Sequence, residues 1–258
     1  MGFYLLGHTG VLNDLRRYRR SGGPVALFLD YDGTLVALAQ RPDLAVAPPQ
    51  VVRLLERLTD RGYAVSVVTG RSQESLDMVL GRPRGCTLVF LHGWEILWNG
   101  VMVCPWGEPT PLPDPFLDAL ASIAVPGVIL ERKGVGVALH YRLVEPSRKR
   151  EARQAFLDAF ARHLQGVNSY TILEGKEVVE VRPRGASKGR AVAWVLERLA
   201  YSKPVCVAAF GDDATDVDMF LAIGAAGLTV AVGDRQLRGA RWWVHAPDEV
   251  WQALEMLL

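Results

Sequence analysis

Apolar residues in this chain gather in short, nearly unbroken runs, each followed by a segment with helical spacing. Val25–Leu29, Tyr63–Val68, Thr87–Leu91, Val205–Phe210 and Leu228–Val232 are runs of this kind. Continuous apolar runs predict strands buried on both faces, as in a parallel sheet. Between them, Val51, Val52, Leu54, Leu55 and Leu58 recur at helical spacing, and so do Val192, Val195, Leu196 and Leu199. Strand then helix, step after step, predicts an α/β fold with a doubly wound, Rossmann-like parallel sheet. Trp242–His245 reads as a further strand, Glu95–Val103 as a hairpin turned at Asn99-Gly100, and Pro247-Asp248-Glu249 as the start of the last helix.

The rhythm breaks at Pro105, Pro109, Pro111, Pro113 and Pro115, a stiff stretch that suits neither a helix interior nor a central strand. Beyond it the order helix, two strands, helix, two strands predicts a small antiparallel sheet with helices on one face, ending at Arg182-Pro183-Arg184-Gly185. The expected plan is a helical extension over 1–24, a catalytic core over 25–108 and 184–258, and an inserted, smaller α/β cap domain over 109–183. In the extension, Arg16, Arg17, Arg19 and Arg20 read as a solvated helix face or as a patch for an acidic partner.

Of the 258 residues, half are hydrophobic and 22% charged, so a packed core is expected throughout. A formal charge of +1 argues against a nucleic-acid-binding face as the main function. The apolar stretch near Phe220–Val232 is broken by Gly224 and Gly227, and no membrane span is expected. Cys86, Cys104 and Cys206 form no C-x-x-C pair, and no secretory signal is visible, which favours the reducing cytoplasm. A monomer is the default.

The first run ends in Asp30-Tyr31-Asp32-Gly33-Thr34. This is either an Asp-rich turn after a strand or a site in which two acids, on one side of the chain, share a cation. Thr69-Gly70-Arg71 closes the second run, where the threonine either caps the next helix or holds a phosphate. Lys188 stands at a helix start, and Gly211-Asp212-Asp213-Ala214-Thr215-Asp216 closes the fourth run. In a doubly wound sheet these strand ends converge. A carboxylate set of this kind suits a hard cation such as Mg²⁺. With Lys188 and Thr69 on a phosphoryl group, one aspartate can attack phosphorus while the other handles the leaving-group proton.

This set resembles the haloacid dehalogenase-like phosphohydrolase superfamily, whose four motifs map onto Asp30–Thr34, Thr69, Lys188 and Gly211–Asp216. The resemblance implies that Asp30 is the nucleophile and forms an aspartyl-phosphate, and that Asp32 protonates the leaving alcohol and then activates water. It places Mg²⁺ among the Asp30 side chain, the Asp32 backbone carbonyl and Asp212, with Asp213 and Asp216 behind, and the phosphate on Thr69, Gly70 and Lys188. The interval from Asp32 to Thr69 is too short for an inserted domain, whereas that from Thr69 to Lys188 holds the second unit. That placement resembles the caps of sugar-phosphate phosphatases.

Glu131-Arg132-Lys133-Gly134, His140-Tyr141-Arg142, the segment from Glu174 to Pro183, and Gly211–Phe220 are similar to the trehalose-6-phosphate phosphatase family. By that resemblance Glu131, Lys133, Arg142, Lys176 and Glu180 bind the sugar. Taken as residues alone, they read as a cross-strand ladder of ion pairs or as donors and acceptors for a polyhydroxyl ligand. Val217 and Trp94 depart from the family pattern, which has an acid and a small residue there. The implied activity is Mg²⁺-dependent hydrolysis of trehalose 6-phosphate, with a small-molecule sugar phosphate as substrate and coupling to a trehalose-6-phosphate synthase through a partner. Sucrose 6-phosphate and glucosyl- or mannosyl-3-phosphoglycerate are the alternative substrates. A catalytically silent sugar-phosphate sensor is disfavoured, because Asp30, Asp32 and Lys188 are all present.

Overall fold

The structure is a computed structural model describing residues 4–6, 10–108, 110–175, 177–233 and 236–258. It divides into two compact units, Met1–Pro105 with Ser187–Leu258, and Trp106–Ala186.

The larger unit contains β1 (Tyr4–Leu5), α1 (Val11–Arg20), β2 (Val25–Asp30), α2 (Pro49–Asp60), β3 (Ala64–Val68), α3 (Gln73–Val79), β4 (Thr87–Phe90), β5 (Glu95–Trp98) and β6 (Val101–Val103). Residues 106–186 form the smaller unit, with α4 (Asp114–Ala121), β7 (Ile129–Lys133), β8 (Gly136–His140), α5 (Lys149–His163), β9 (Tyr170–Gly175) and β10 (Val178–Pro183). The larger unit then resumes with α6 (Lys188–Leu199), β11 (Cys206–Gly211), α7 (Val217–Ile223), β12 (Leu228–Val232), β13 (Trp242–Val244) and α8 (Pro247–Glu255).

The large sheet runs β1-β13-β12-β11-β2-β3-β4-β5-β6, parallel except at β5 and β6. This is the α/β, doubly wound architecture that the apolar runs predict. Every residue of β2 is buried, as a strand covered on both faces requires. Phe28 and Ala26 meet Val192, Val195, Met219 and Phe220 on one side of the sheet. Val51, Leu54, Leu55 and Leu58 form the buried face of α2. The N-terminal helix docks through Leu12 and Leu15. The two-residue β1, which extends the sheet beyond β13, has no signature in the apolar pattern.

Register places the chemistry. Asp30 pairs with Val68, and Leu29 with Phe210. In a parallel sheet, the residues just past these pairs emerge at one edge, so Asp30, Thr69 and Asp212 become neighbours there.

The smaller unit is a four-stranded antiparallel sheet ordered β7-β8-β10-β9. Val137, Leu139, Val179 and Val181 pack with Phe116 of α4 and Phe156 of α5, whose rings meet edge to face at 6.2 Å. Side chains alternate across a strand. The other face therefore carries Glu131, Lys133, Ala138, His140 and Glu180, on neighbouring strands in register.

Candidate active site

Lys188 is the hinge of the constellation. It opens α6 immediately after Ser187, whose side-chain oxygen accepts from the Arg190 N–H and caps the helix. The buried Lys188 Nζ donates to Asp30 Oδ1 at 2.6 Å and to Asp216 Oδ1 at 2.7 Å. The other oxygen of Asp216 accepts the backbone N–H groups of Asp212 (2.9 Å) and Asp213 (3.0 Å). Asp216 thus shapes the loop after β11 and fixes Lys188 at once. Asp213 Oδ1 in turn accepts from the Thr215 backbone N–H (2.7 Å) and hydroxyl (2.6 Å).

Oxygens of Asp30, Asp212 and Asp216 lie within 4.8 Å of one another. Burial, reinforced by Asp216, drives the Asp30 carboxyl well above the usual carboxylate range against the pull of Lys188. Burial, with Asp216 and Asp213, pushes Asp212 up to about 7. For Lys188, burial disfavours the charge, but Asp216 and Asp30 outweigh it and hold the ammonium well above its ordinary value. Asp213 is half-buried, and although desolvation works against its charge, Lys188 and Thr215 hold its carboxyl low. One ammonium therefore leaves Asp30 and Asp212 under-compensated. A cluster of hard carboxylate oxygens short of positive charge fits Mg²⁺.

The turn after Asp30 needs a glycine. Gly33 has φ +86°, and a Cβ there would overlap the Asp212 carboxylate. Thr69 is buried and its hydroxyl accepts the Arg71 N–H at 3.1 Å. Gly70 lies against the His92 ring, which a Cβ would strike. His92 itself sits in a left-handed backbone stretch with Leu91 and Gly93.

Asp32 follows a different course. Its carboxylate accepts from Arg71 through both oxygens at 2.7 Å. The three-acid cluster therefore contains Asp30, Asp212 and Asp216, and of Asp32 only the backbone carbonyl remains for the metal role that the resemblance implies. Arg71 was visible in the Thr69-Gly70-Arg71 tripeptide, but nothing in the local pattern links it to Asp32.

In the smaller unit, Lys133 Nζ donates to Glu180 Oε2 at 2.8 Å with both side chains buried, and Glu131 Oε2 lies 3.9 Å away. Glu131 also meets His140 Nε2 at 2.8 Å. Burial works against its charge, but His140 and Lys133 hold its carboxyl below the ordinary value. Arg142 pairs with Glu177 at 3.4 Å, and Lys149 pairs with the same carboxylate. Lys176 lies outside the described residues. His140 is the member that residue-by-residue reading passed over, although it is in register beside Glu131's strand.

Comparison with known proteins places this arrangement. The trehalose-phosphatase family model matches residues 28–234. A probable trehalose-phosphate phosphatase of Sinorhizobium fredii is 38% identical over 213 residues, covering 81% of this chain and 77% of the relative. The bifunctional trehalose-6-phosphate synthase/phosphatase of Thermoproteus tenax is also 38% identical over 213 residues, covering 80% of this chain but only 28% of that longer protein. A crystal structure of a trehalose-6-phosphate phosphatase related protein is 27% identical, with a TM-score of 0.73 over 90% of this chain and 96% of that one. A haloacid dehalogenase-like hydrolase from Bacteroides thetaiotaomicron shares the fold at 17% identity, with a TM-score of 0.64 over 91% of this chain and 100% of that one. With the match spanning every element that carries the acid cluster, the chain belongs to the trehalose-phosphatase family, phosphoric monoester hydrolases on the haloacid dehalogenase-like fold.

Proposed function

We propose that this chain hydrolyses trehalose 6-phosphate to trehalose and inorganic phosphate. The observation that carries the reading is the buried Lys188 bridging Asp30 and Asp216, within the residues matched by the family model. Asp30 attacks phosphorus, and the bond from phosphorus to the sugar oxygen breaks. Asp32 gives that oxygen its proton. Water then attacks the phosphorus of the aspartyl-phosphate, losing its proton to Asp32 and freeing Asp30. Lys188 and Thr69 with Gly70 carry the phosphoryl charge, and Asp216 holds Lys188 in place. Asp30, Asp212 and the Asp32 carbonyl, with Asp213 and Asp216 behind them, would hold Mg²⁺, which would supply further positive charge to the phosphoryl group.

The polar face bearing Glu131, Lys133, His140 and Glu180 suits a ligand rich in hydroxyl groups, since it offers fixed donors and acceptors side by side. Arg142 and Lys176 complete the sugar-binding set that the family resemblance implies. Coupling to synthesis of the substrate is supported by the fused arrangement named for the Thermoproteus tenax relative. Among the described residues no helix is long and apolar enough to cross a membrane, and we place the enzyme in the cytoplasm.

Phosphate release should be measured over trehalose 6-phosphate, sucrose 6-phosphate, glucosyl-3-phosphoglycerate and glucose 6-phosphate. The expected result is a kcat/KM for trehalose 6-phosphate at least about tenfold above the others, a discrimination of ~1.4 kcal/mol. Equal or faster turnover of any other member would overturn the substrate assignment while leaving the phosphatase chemistry intact.

A further inference from the structure

Arg71 has no part in the mechanism so far, yet it is among the most tightly held cations of the larger unit. Its side chain is 6% exposed, against 32% for that of its partner Asp32. Its Nε and Nη2 donate to the two oxygens of Asp32, both at 2.7 Å. Nη2 also donates to the Pro42 carbonyl (2.8 Å) and Nη1 to the Ser75 hydroxyl (2.9 Å). The Tyr31 ring lies 5.3 Å from the guanidinium carbon, and Tyr31 is itself pinned through its hydroxyl to the Ala45 and Val79 carbonyls.

The asymmetry is informative. A buried arginine held by the Pro42 carbonyl and by the Ser75 hydroxyl of α3 grips a partly exposed aspartate. A planar guanidinium meeting a carboxylate through two parallel bonds sets both its position and the plane of its oxygens, which a single-point ammonium does not. Arg71 also follows Thr69 by two residues and donates its own backbone N–H to the Thr69 hydroxyl. One tripeptide therefore carries a proposed phosphate-binding group and the support of the proton-transfer group.

We propose that Arg71 is a positioning residue for proton transfer: its fork orients the Asp32 carboxylate relative to the leaving oxygen. This rests on the acid role of Asp32 proposed above. Its consequence is a dependence on the leaving group. An alcohol needs a proton as it departs, whereas dinitrophenolate leaves without one. Both kinds of substrate present the same phosphoryl charge, so a purely structural or phosphate-binding role for Arg71 would affect them equally.

The test measures kcat/KM, which reports steps through formation of the aspartyl-phosphate, for phenyl, 4-nitrophenyl and 2,4-dinitrophenyl phosphate and for trehalose 6-phosphate. R71M should lose about 100-fold on trehalose 6-phosphate and phenyl phosphate but less than about threefold on 2,4-dinitrophenyl phosphate, the scale of a misaimed catalytic group. R71K should recover part of the loss on the poor leaving groups. Because Arg71 acts through Asp32, the double variant Asp32→Asn with Arg71→Met should be no slower than Asp32→Asn alone. Equal losses across the series, or additive losses in the double variant, would overturn the proposal. If thermal melts show R71M unfolded, the same leaving-group comparison on R71K decides the matter. Absence of turnover on trehalose 6-phosphate would refute the substrate reading alone, because the aryl series still tests Arg71.

Discussion

Removing divalent metal should make this protein less stable as the pH rises, and the size of the effect follows from Asp212. Its carboxyl moves from 3.8 to about 7 on folding, with burial as the leading cause and Asp216 and Asp213 adding to it. Between those two values the folded chain keeps a proton that the unfolded chain has released. Stability therefore falls with rising pH: the contribution is fully present below the unfolded value and is lost as the pH passes through about 7. At 1.36 kcal/mol per unit, the shift sets a ceiling of roughly 4 kcal/mol. Asp30 and Asp216 are raised as well, in the same direction and for the same first cause. For a chain of this length, ~4 kcal/mol corresponds to a melting shift on the order of 10 °C. The assay is a series of thermal melts in chelator from about pH 5 to about pH 8, repeated in saturating Mg²⁺. Without metal, the melting temperature should fall across the series. Mg²⁺ should restore it, and by more at the alkaline end, where the carboxylates have already released their protons. Asp212→Asn should flatten the slope without metal. A melting temperature that is level or rising with pH in chelator, or a Mg²⁺ effect equal at both ends, would refute the reasoning.

Asp30→Asn should lower phosphate release by about 10⁴-fold or more, with or without Mg²⁺, because it removes the proposed nucleophile; substantial residual turnover in a phosphate-release assay would remove Asp30 from that role. Lys188→Met leaves Asp30 and Asp216 buried without their ammonium and should cost about 3–5 kcal/mol in denaturant unfolding; a loss under ~1 kcal/mol would mean that the pairs are solvated. Lys133→Met removes an ammonium from the buried Glu180 carboxylate and should destabilise the smaller unit by up to ~3–5 kcal/mol. The same substitution should raise KM for trehalose 6-phosphate while sparing 2,4-dinitrophenyl phosphate, and equal effects on both would take Lys133 out of sugar recognition.

Much of the fold can be read from local pattern because buried parallel strands leave a local trace. Val25–Asp30 is apolar at every position up to the acid, and every position is buried. The hairpin at Asn99-Gly100 is legible for a similar reason: both residues adopt positive φ, which that dipeptide tolerates. The edge strand Tyr4–Leu5 leaves no such trace, since a two-residue pairing is set by its neighbour rather than by its own composition.

The candidate site divides in the same way. Asp30, Lys188 and Asp212 are recoverable from sequence because each stands at the end of a recognisable element, and the topology of a doubly wound sheet brings such ends together. The partners of those groups are not recoverable. Asp216 grips Lys188, Arg71 grips Asp32, His140 meets Glu131, and Arg142 turns to Glu177. Each pairing joins segments whose spacing is fixed by register across a sheet or by the packing of a turn. Residue types and their order thus determine that acids and a lysine stand at strand and helix ends, and so the class of chemistry. Which oxygen faces which nitrogen, and hence which acid joins the cluster and which is held by an arginine, is decided by long-range packing to tenths of an ångström, a scale on which hydrophobic periodicity carries no information.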